Sequence, residues 1–174
     1  AAAAIGVPHP LHVHCNNLGV PGAPATVAAT MAGAEGRPIH LAHVQFYSYA
    51  VDPSGGFRSG AEAVIEALAA HPNVTVDVGQ VMFGPTVTIS LDILKQYAGT
   101  PYASPKKWAL VDGDAEGGGI VPIDYRAKSW INQLQWAIGM ELFLLSPDPW
   151  RVLMTTDHPN GGSFTTYPKI LHLL

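Results

Sequence analysis

Charge is scarce in this chain. Only 13% of its 174 residues are Asp, Glu, Lys or Arg, about half the share of roughly 25% usual in soluble domains. The 13 acidic residues outnumber the 9 basic ones, for a formal charge of -4. Lys106-Lys107 is the only adjacent basic pair, which argues against a nucleic-acid or anionic-membrane surface, since phosphate binding needs concentrated positive charge. A single cysteine, Cys15, excludes an internal disulfide and sets a reducing, cytoplasmic compartment as the expectation. Long apolar runs are also missing. The longest, Trp136 to Leu145, is interrupted by Glu141 and falls short of the roughly 20 residues that span a bilayer.

Glycine and proline are plentiful, at 18 and 15 residues, too many for a simple helical bundle. The 48% hydrophobic content supports a packed core and excludes long disordered stretches and coiled coils. Both ends read as cut: the chain opens on Ala1-Ala2-Ala3-Ala4 without a basic leader segment and stops at Ile170-Leu171-His172-Leu173-Leu174 in helical sequence. The expectation is a piece of a longer polypeptide.

The first predicted strand is Leu11-His12-Val13-His14, followed by a small helix over 24–34 with Pro24 in its first turn and Gly36 beyond its end. A second strand spans 39–44. Residues 47–58 read as a loop, and 60–70 as a helix stopped by His71-Pro72-Asn73. Val74-Thr75-Val76-Asp77-Val78 alternates as a third strand. Residues 99–122 read as an irregular insertion, with a short hairpin around Trp108 to Val111. Ser129 caps a long helix over 130–145, in which Ile131, Leu134, Gln135, Ile138 and Leu142 mark one face. A fourth strand at 151–155 then leads into a polar, glycine-rich exit loop. Trp130, Trp136 and Trp150 read as core.

This alternation of strands and helices calls for parallel strands joined by crossovers, an α/β fold. Four such units fit half of a (β/α)8 barrel, and a doubly wound sheet is the rival. No G-x-G-x-x-G follows the first strand, which weakens a dinucleotide fold.

Active sites in parallel α/β folds lie at the carboxyl ends of the strands. Here those ends carry His14, His43 and Asp157, the imidazole and carboxylate donors that zinc or a similar divalent metal prefers. His12 and His14 alternate, so both face one side of a strand. His14 is the better ligand candidate because it is nearer the exit, and His12 reads as an orienting partner or a packed residue. The spacing of three places His40 and His43 on opposite faces, with His40 structural. A single strand-end His is ordinarily a hydrogen-bonded core or surface residue; recurrence at three strand ends favours a joint metal site. Asp157 has its own alternative as the cap of the following turn. Cys15 reads as a small buried residue beside the site, and the glycines at 117–119 and 161–162 as turn residues.

The segments carrying these residues resemble a known group. His14-Cys15-Asn16-Asn17, His43-Val44-Gln45-Phe46 and Thr155-Thr156-Asp157-His158-Pro159-Asn160-Gly161-Gly162 are similar to strands five, six and eight of the amidohydrolase superfamily of metal-dependent barrels. More narrowly, HPLHVHCNNLGVPG, HLAHVQFYSY, VDVGQVMFGPTVT, QWAIGMELFL and DPWRVLMTTDHPNGG resemble the A-subunit family of formylmethanofuran dehydrogenases and of bacterial formyltransferase/hydrolase complexes. The resemblance covers essentially the whole chain. The Pro105-Lys106-Lys107-Trp108 stretch leans towards the bacterial type.

That resemblance implies the C-terminal half of a (β/α)8 TIM-type metal-dependent hydrolase barrel over 1–174, about strands five to eight, and a binuclear site with zinc as the expected metal. His14 and His43 would hold one metal, and Asp157 would bind metal and carry a proton. The remaining ligands, an H-x-H pair and often a carboxylated lysine, are not assignable here and are expected upstream. His12, Asn16, Asn17, Gln80, His158 and Asn160 are the candidates for orienting the ligands or touching substrate. The implied reaction is hydrolysis or formation of the N-formyl amide of methanofuran or methylofuran. The carrier's acidic tail would run along Asn16, Asn17, Gln80 and Gly161, and the partners would be other subunits of the same one-carbon-transfer complex. Two other readings are a different amidohydrolase acting on cyclic amides and a non-catalytic assembly subunit.

Overall fold

The computed structural model describes residues 9–81, 83–90, 110–112, 118–158 and 161–174. Four parallel strands form the central sheet: β1 (Leu11–Val13), β2 (Ile39–Leu41), β5 (Val74–Gly79) and β9 (Val152–Thr155). They lie side by side in chain order, which requires a crossover between each pair. The crossovers contain α1 (Pro24–Gly33), α2 (Ala61–Ala70) and α3 (Trp130–Leu145).

Alternation along the strands sorts the residues onto two unlike faces. The row Val13, Leu41, Val76 and Val152 is in register across the sheet and belongs to the hydrophobic cluster that also takes in Val27 and Met31 of α1, Val64 and Leu68 of α2, and Ile138 and Leu142 of α3. All three helices thus share one core on one face. The next row, His12, His40 and Thr75, and then Asp77 beside Leu153, point to the other side. A doubly wound sheet has a reversal of strand order with helices on both faces; the described sheet has neither.

The helices α1 and α2 are short, and each has a reason to form. Pro24 occupies the first turn of α1, where its missing N–H costs nothing, and Val27 and Met31, four apart, are both fully buried. In α2, Ala61, Val64, Ile65 and Leu68 make the buried stripe. Arg151 closes the C-terminal end of α2 from a distance: its Nη1 donates to the carbonyls of Leu68, His71 and Val74 at 2.9, 3.1 and 3.3 Å, while its Nε pairs with Asp148 at 3.3 Å. The Leu68 and His71 carbonyls also accept from the His71 and Val74 N–H groups at 3.2 and 3.1 Å, so Arg151 adds a charged donor to a turn already closed by backbone bonds.

Several sequence expectations change. Residues 47–58 are not a plain loop but contain a hairpin of β3 (Tyr49–Val51) and β4 (Phe57–Ser59). The buried rings of Tyr49 and Phe57 meet edge to face at 5.5 Å, and Asp52 closes the turn by accepting from Ser54 N–H at 2.7 Å and Gly56 N–H at 2.8 Å. The strands are only three residues long, so their alternation is too brief to outweigh the Pro and Gly signals. β6 (Gly84–Ser90), β7 (Leu110–Asp112) and β8 (Gly118–Tyr125) form an antiparallel sheet in the order β6-β8-β7. The 99–122 insertion therefore ends in regular strand, and its residues 99–109 and 113–117, including Trp108 and the Lys106-Lys107 pair, lie outside the described residues. Trp136 is buried, but Trp130 and Trp150 are 53% and 87% exposed. The first opens α3, and the second sits in the 3-10 turn at Pro149–Arg151. A last helix, α4 (Tyr167–Leu173), follows the β9 exit loop. Among the described residues, no helix is long and apolar enough to cross a membrane.

Arg151→Ala removes a charged donor from three carbonyls, and hydrogen bonds to charged groups contribute about 1.5–3 kcal/mol. The expected outcome in chemical denaturation of the protein is a loss of about 2 kcal/mol, with Arg151→Lys recovering part of it. A denaturation midpoint for Arg151→Ala equal to wild type would remove this staple from the account.

Candidate functional site

Three turns leave the C-terminal ends of β1, β2 and β9, and each carries one candidate ligand. After β1, His14 stays on the polar side while Cys15 turns into the core, where burial raises its thiol pKa above the usual value. Asn17 takes a left-handed conformation (φ 68°) and its Nδ2 donates to Thr26 Oγ1 on α1 at 2.9 Å. The Gly19 N–H then donates to the Phe46 carbonyl at 2.8 Å, which joins the β1 turn to the β2 turn.

After β2 the chain breaks its alternation. His43 is left-handed (φ 36°) and opens a 3-10 turn, Val44–Tyr47. Its imidazole stacks on Tyr47 at 5.6 Å and meets the edge of Phe46 at 5.5 Å. Gln45, fully buried, accepts from Gly79 N–H at 2.9 Å and donates to the Gly79 carbonyl. One side chain thus fixes the β2 turn against the end of β5. After β9, Asp157 is also left-handed (φ 49°). Its carbonyl, not its carboxylate, closes the exit turn by accepting from Gly161 N–H at 2.6 Å, leaving the side chain directed elsewhere.

These turns converge. His14 Nδ1 and His43 Nε2 are 2.8 Å apart, and Asp157 Oδ1 lies 4.0 Å from the same His43 nitrogen. Such closeness requires small residues behind it. A Cβ on Gly79 would stand 3.0 Å from Asp157 Cβ and 3.1 Å from His43 Cβ, and one on Gly161 would stand 2.9 Å from Asp157 Cβ and 2.7 Å from the Thr156 carbonyl oxygen.

Electrostatics favour neutral imidazoles. Burial, together with the His14 ring beside it, lowers the His43 pKa to about 4. Burial and then the neighbouring His12 also lower that of His14. Burial and then the Asp77 charge push Asp157 up to about 7. Asp77 itself goes the other way. Burial alone would raise it, but hydrogen bonds from His40, the His43 N–H and Thr155 outweigh that and hold it below the usual carboxylate range.

Two neutral imidazoles and a carboxylate, gathered at adjoining strand ends, are the donor types that a zinc-like divalent ion takes. His43 Nδ1 is buried with no hydrogen-bond partner among the described residues, so the ring is free of any competing bond that would turn Nε2 away from the site. The residues fit a metal.

The other predicted residues are placed less uniformly. His12 is exposed on the polar face of the sheet, its ring 5.1 Å from His14 and 5.3 Å from His40. Asn16 is exposed. His158 is exposed, stacks on Phe164 at 4.0 Å, and bonds through Nδ1 to the Gly162 carbonyl at 3.2 Å. Gln80 is fully buried: its N–H donates to the Thr155 carbonyl at 3.0 Å and its carboxamide lies against Trp136 and Gly139, facing α3 and not solvent. Asn160 lies outside the described residues.

Sequence reasoning missed Asp77 and misplaced His40. Strict alternation set His40 and His43 on opposite faces, but β2 ends at Leu41 and the left-handed His43 reverses the pattern. Both residues reach the same carboxylate, His40 Nε2 at 3.0 Å from Asp77 Oδ2 and His43 N–H at 2.9 Å from Oδ1. The available signal was Asp77 itself, a charge inside a strand otherwise dense in valine, because a buried carboxylate must have partners. His12, His40 and Asp77 offer ligand-type atoms all within 4.8 Å of one another.

No protein-family profile matches the chain. It is 63% identical, over its whole length, to the A subunit of the formyltransferase/hydrolase complex Fhc of Methylorubrum extorquens, of which it covers 33%. It is 39% identical over 96% of its length to the protein FwdA of Methanocaldococcus jannaschii, of which it covers 31%. The crystal structure of the FhcABCD complex of Methylorubrum extorquens with methylofuran contains a chain that superposes with a TM-score of 0.85 at 61% identity, over 99% of this chain and 32% of that one. The chain thus spans about a third of the length of the relatives it matches.

Gly79→Ala would press on both Asp157 and His43. The expected outcome is a zinc affinity at least about tenfold weaker, the scale seen when groups supporting metal ligands are disturbed, measured by competition with a chromophoric chelator. An affinity equal to wild type would contradict the packing argument. Metal binding should also release a proton from Asp157, because a carboxyl group titrating near 7 is still protonated at pH 6 in the metal-free protein, whereas the His43 imidazole, lowered to about 4, is already neutral. Calorimetry in buffers of different ionisation enthalpy should show release that is larger at pH 6 than at pH 8, with the difference lost in Asp157→Asn. Equal release at both pH values would place the proton elsewhere.

Proposed function

We propose that this chain is part of the A subunit of a formyltransferase/hydrolase complex, and that its strand-end cluster belongs to the site that hydrolyses or forms the N-formyl amide of a methanofuran-type carrier. The observation that carries this reading is the gathering of His14 and Asp157 around His43, at 2.8 and 4.0 Å from its Nε2, in a chain 63% identical to the Fhc relative. The higher identity to Fhc than to FwdA favours the bacterial type. The related complex is crystallised with methylofuran, which supports a methylofuran-type carrier here.

The architecture supports a barrel. Four parallel strands in chain order, with the three crossover helices on one face and a polar row on the other, have the layout of an arc of a (β/α)8 barrel whose lumen side carries His12, His40, Thr75 and Asp77. On this reading residues 1–174 supply about strands five to eight of a metal-dependent hydrolase of the amidohydrolase kind. The other strands, with the further ligands of a binuclear zinc site, come from outside this segment. The other subunits of the complex are the expected partners.

His14 and His43 would hold the metal through Nδ1 and Nε2, with Asp157 beside them. A bound zinc supplies Lewis acidity, activating water and polarising the formyl oxygen. The chain's own residues do the rest. Burial lowers the pKa of both imidazoles, which favours the unprotonated form whose lone pair binds metal. Asp157 accepts the proton of the attacking water at a carboxylate oxygen and delivers it to the leaving amine nitrogen as the C–N bond breaks and formate departs. In the reverse direction the same carboxyl receives the amine proton.

His14→Ala and Asp157→Ala in the intact complex should each lower formyl-carrier hydrolysis by at least about a hundredfold, the low end of a general acid–base contribution, while the subunits still co-purify. Unchanged hydrolysis in both variants would leave an assembly role only. Turnover of hydantoin in place of a formylated furfurylamine would move the assignment to cyclic amides.

A further inference from the structure

The two ligand-bearing turns are joined through one buried carboxylate. Asp77 Oδ1 accepts from the His43 backbone N–H at 2.9 Å and from the Thr155 hydroxyl at 2.8 Å. Thr155 Oγ1 in turn accepts from the Asp157 N–H at 3.4 Å. Asp77 Oδ2 takes His40 Nε2 at 3.0 Å, and His40 Nδ1 meets Thr75 Oγ1 at 2.8 Å. His43 and Asp157 both have left-handed backbones without being glycine, a conformation that L-residues keep only when surrounding bonds hold it.

We infer that Asp77 and Thr155 form a positioning clamp that sets the distance between the His43 and Asp157 turns, and so the spacing of the two side chains across the metal site. The inference rests on the assignment of His14, His43 and Asp157 as metal ligands. Asp77 does this from the middle of β5, which pairs with β2 on one side and β9 on the other. One oxygen binds the β2 turn directly and the β9 turn through Thr155. The second is pinned by His40, so the carboxylate cannot rotate to release the first. The same bonds argue against a separate metal centre at His12, His40 and Asp77. Both ring nitrogens of His40 already have partners, and an ion there would displace one of them.

The test uses the full-length protein. Thr155→Val keeps the shape but removes the link to Asp77 and to the Asp157 N–H, and Thr155→Ser restores it. Zinc affinity is read by chelator competition, ligand geometry by the visible spectrum of the cobalt-substituted protein, and folding by the melting temperature. The clamp predicts that Thr155→Val binds zinc about 10–100-fold more weakly, with shifted cobalt bands, and that Thr155→Ser returns to within about threefold of wild type, the scale expected of groups that orient metal ligands. Asp77→Asn, which leaves an oxygen for His43 but loses the charge, should weaken zinc in the same direction and serves if Thr155→Val does not fold. Wild-type affinity and spectrum in folded Thr155→Val, or in Asp77→Asn where that variant serves, overturn the clamp. His43→Ala and Asp157→Ala separate the two levels. If they lose zinc while the clamp variants do not, only the clamp fails; if they too keep wild-type affinity, the ligand assignment fails with it. A zinc equivalent lost in His12→Ala and His40→Ala but kept in His43→Ala would make Asp77 a metal ligand, which also overturns the clamp.

Discussion

Asp77 stands in a central strand between two others, and a carboxylate in that position has to be satisfied without water. Its neighbours supply the bonds: His40 and the His43 N–H from β2 and its turn, and Thr155 from β9. An unpaired buried charge would cost more than one domain can readily absorb. The ends of β2, β5 and β9 are therefore held in a fixed relation by one side chain, which sets the His43 and Asp157 turns beside each other, and His14 joins them through its contact with His43. Gln45 and Gly79 reinforce it from below, and the absence of a side chain at Gly79 leaves room for the approach.

The two faces of the sheet divide the remaining tasks. On one, valines and isoleucines meet the three helices in a single cluster, which supplies the burial that holds the strands parallel. On the other, polar residues stand in register, from His12, His40 and Thr75 to Asp77. The low charge content of the chain follows from this division, since one face needs none and the other uses charge sparingly. Burial next to Asp77 then separates the protonation behaviour of the groups nearby. Asp77 is held below the usual carboxylate range, Asp157 is pushed up to about 7, and burial lowers both imidazoles.

Much of this was legible in the residues. The four parallel strands and three helices follow from hydrophobic period and from Pro24, His71-Pro72 and Ser129 as boundaries. The strand-end positions of His14, His43 and Asp157 followed from knowing where parallel sheets place their sites. What was not legible were features that depend on tertiary contact or on departures from period. The Tyr49–Val51 and Phe57–Ser59 hairpin is too short to show alternation. The left-handed turn at His43 is invisible in a rule that extends a strand's period past its end. Asp77 was read as one member of an alternating strand, when its charge was the informative feature. Trp130 and Trp150 read as core in the sequence, yet one opens α3 and the other sits inside the Pro149–Arg151 turn, and both face solvent.

The most direct test of the account is a crystal structure of the full-length protein with data collected on both sides of the zinc absorption edge. The account predicts an anomalous peak bounded by His14 Nδ1, His43 Nε2 and the Asp157 carboxylate, with Asp77 one layer behind it and still bonded to the His43 N–H. A zinc peak away from those three side chains, or one that Asp77 itself ligates, would contradict it.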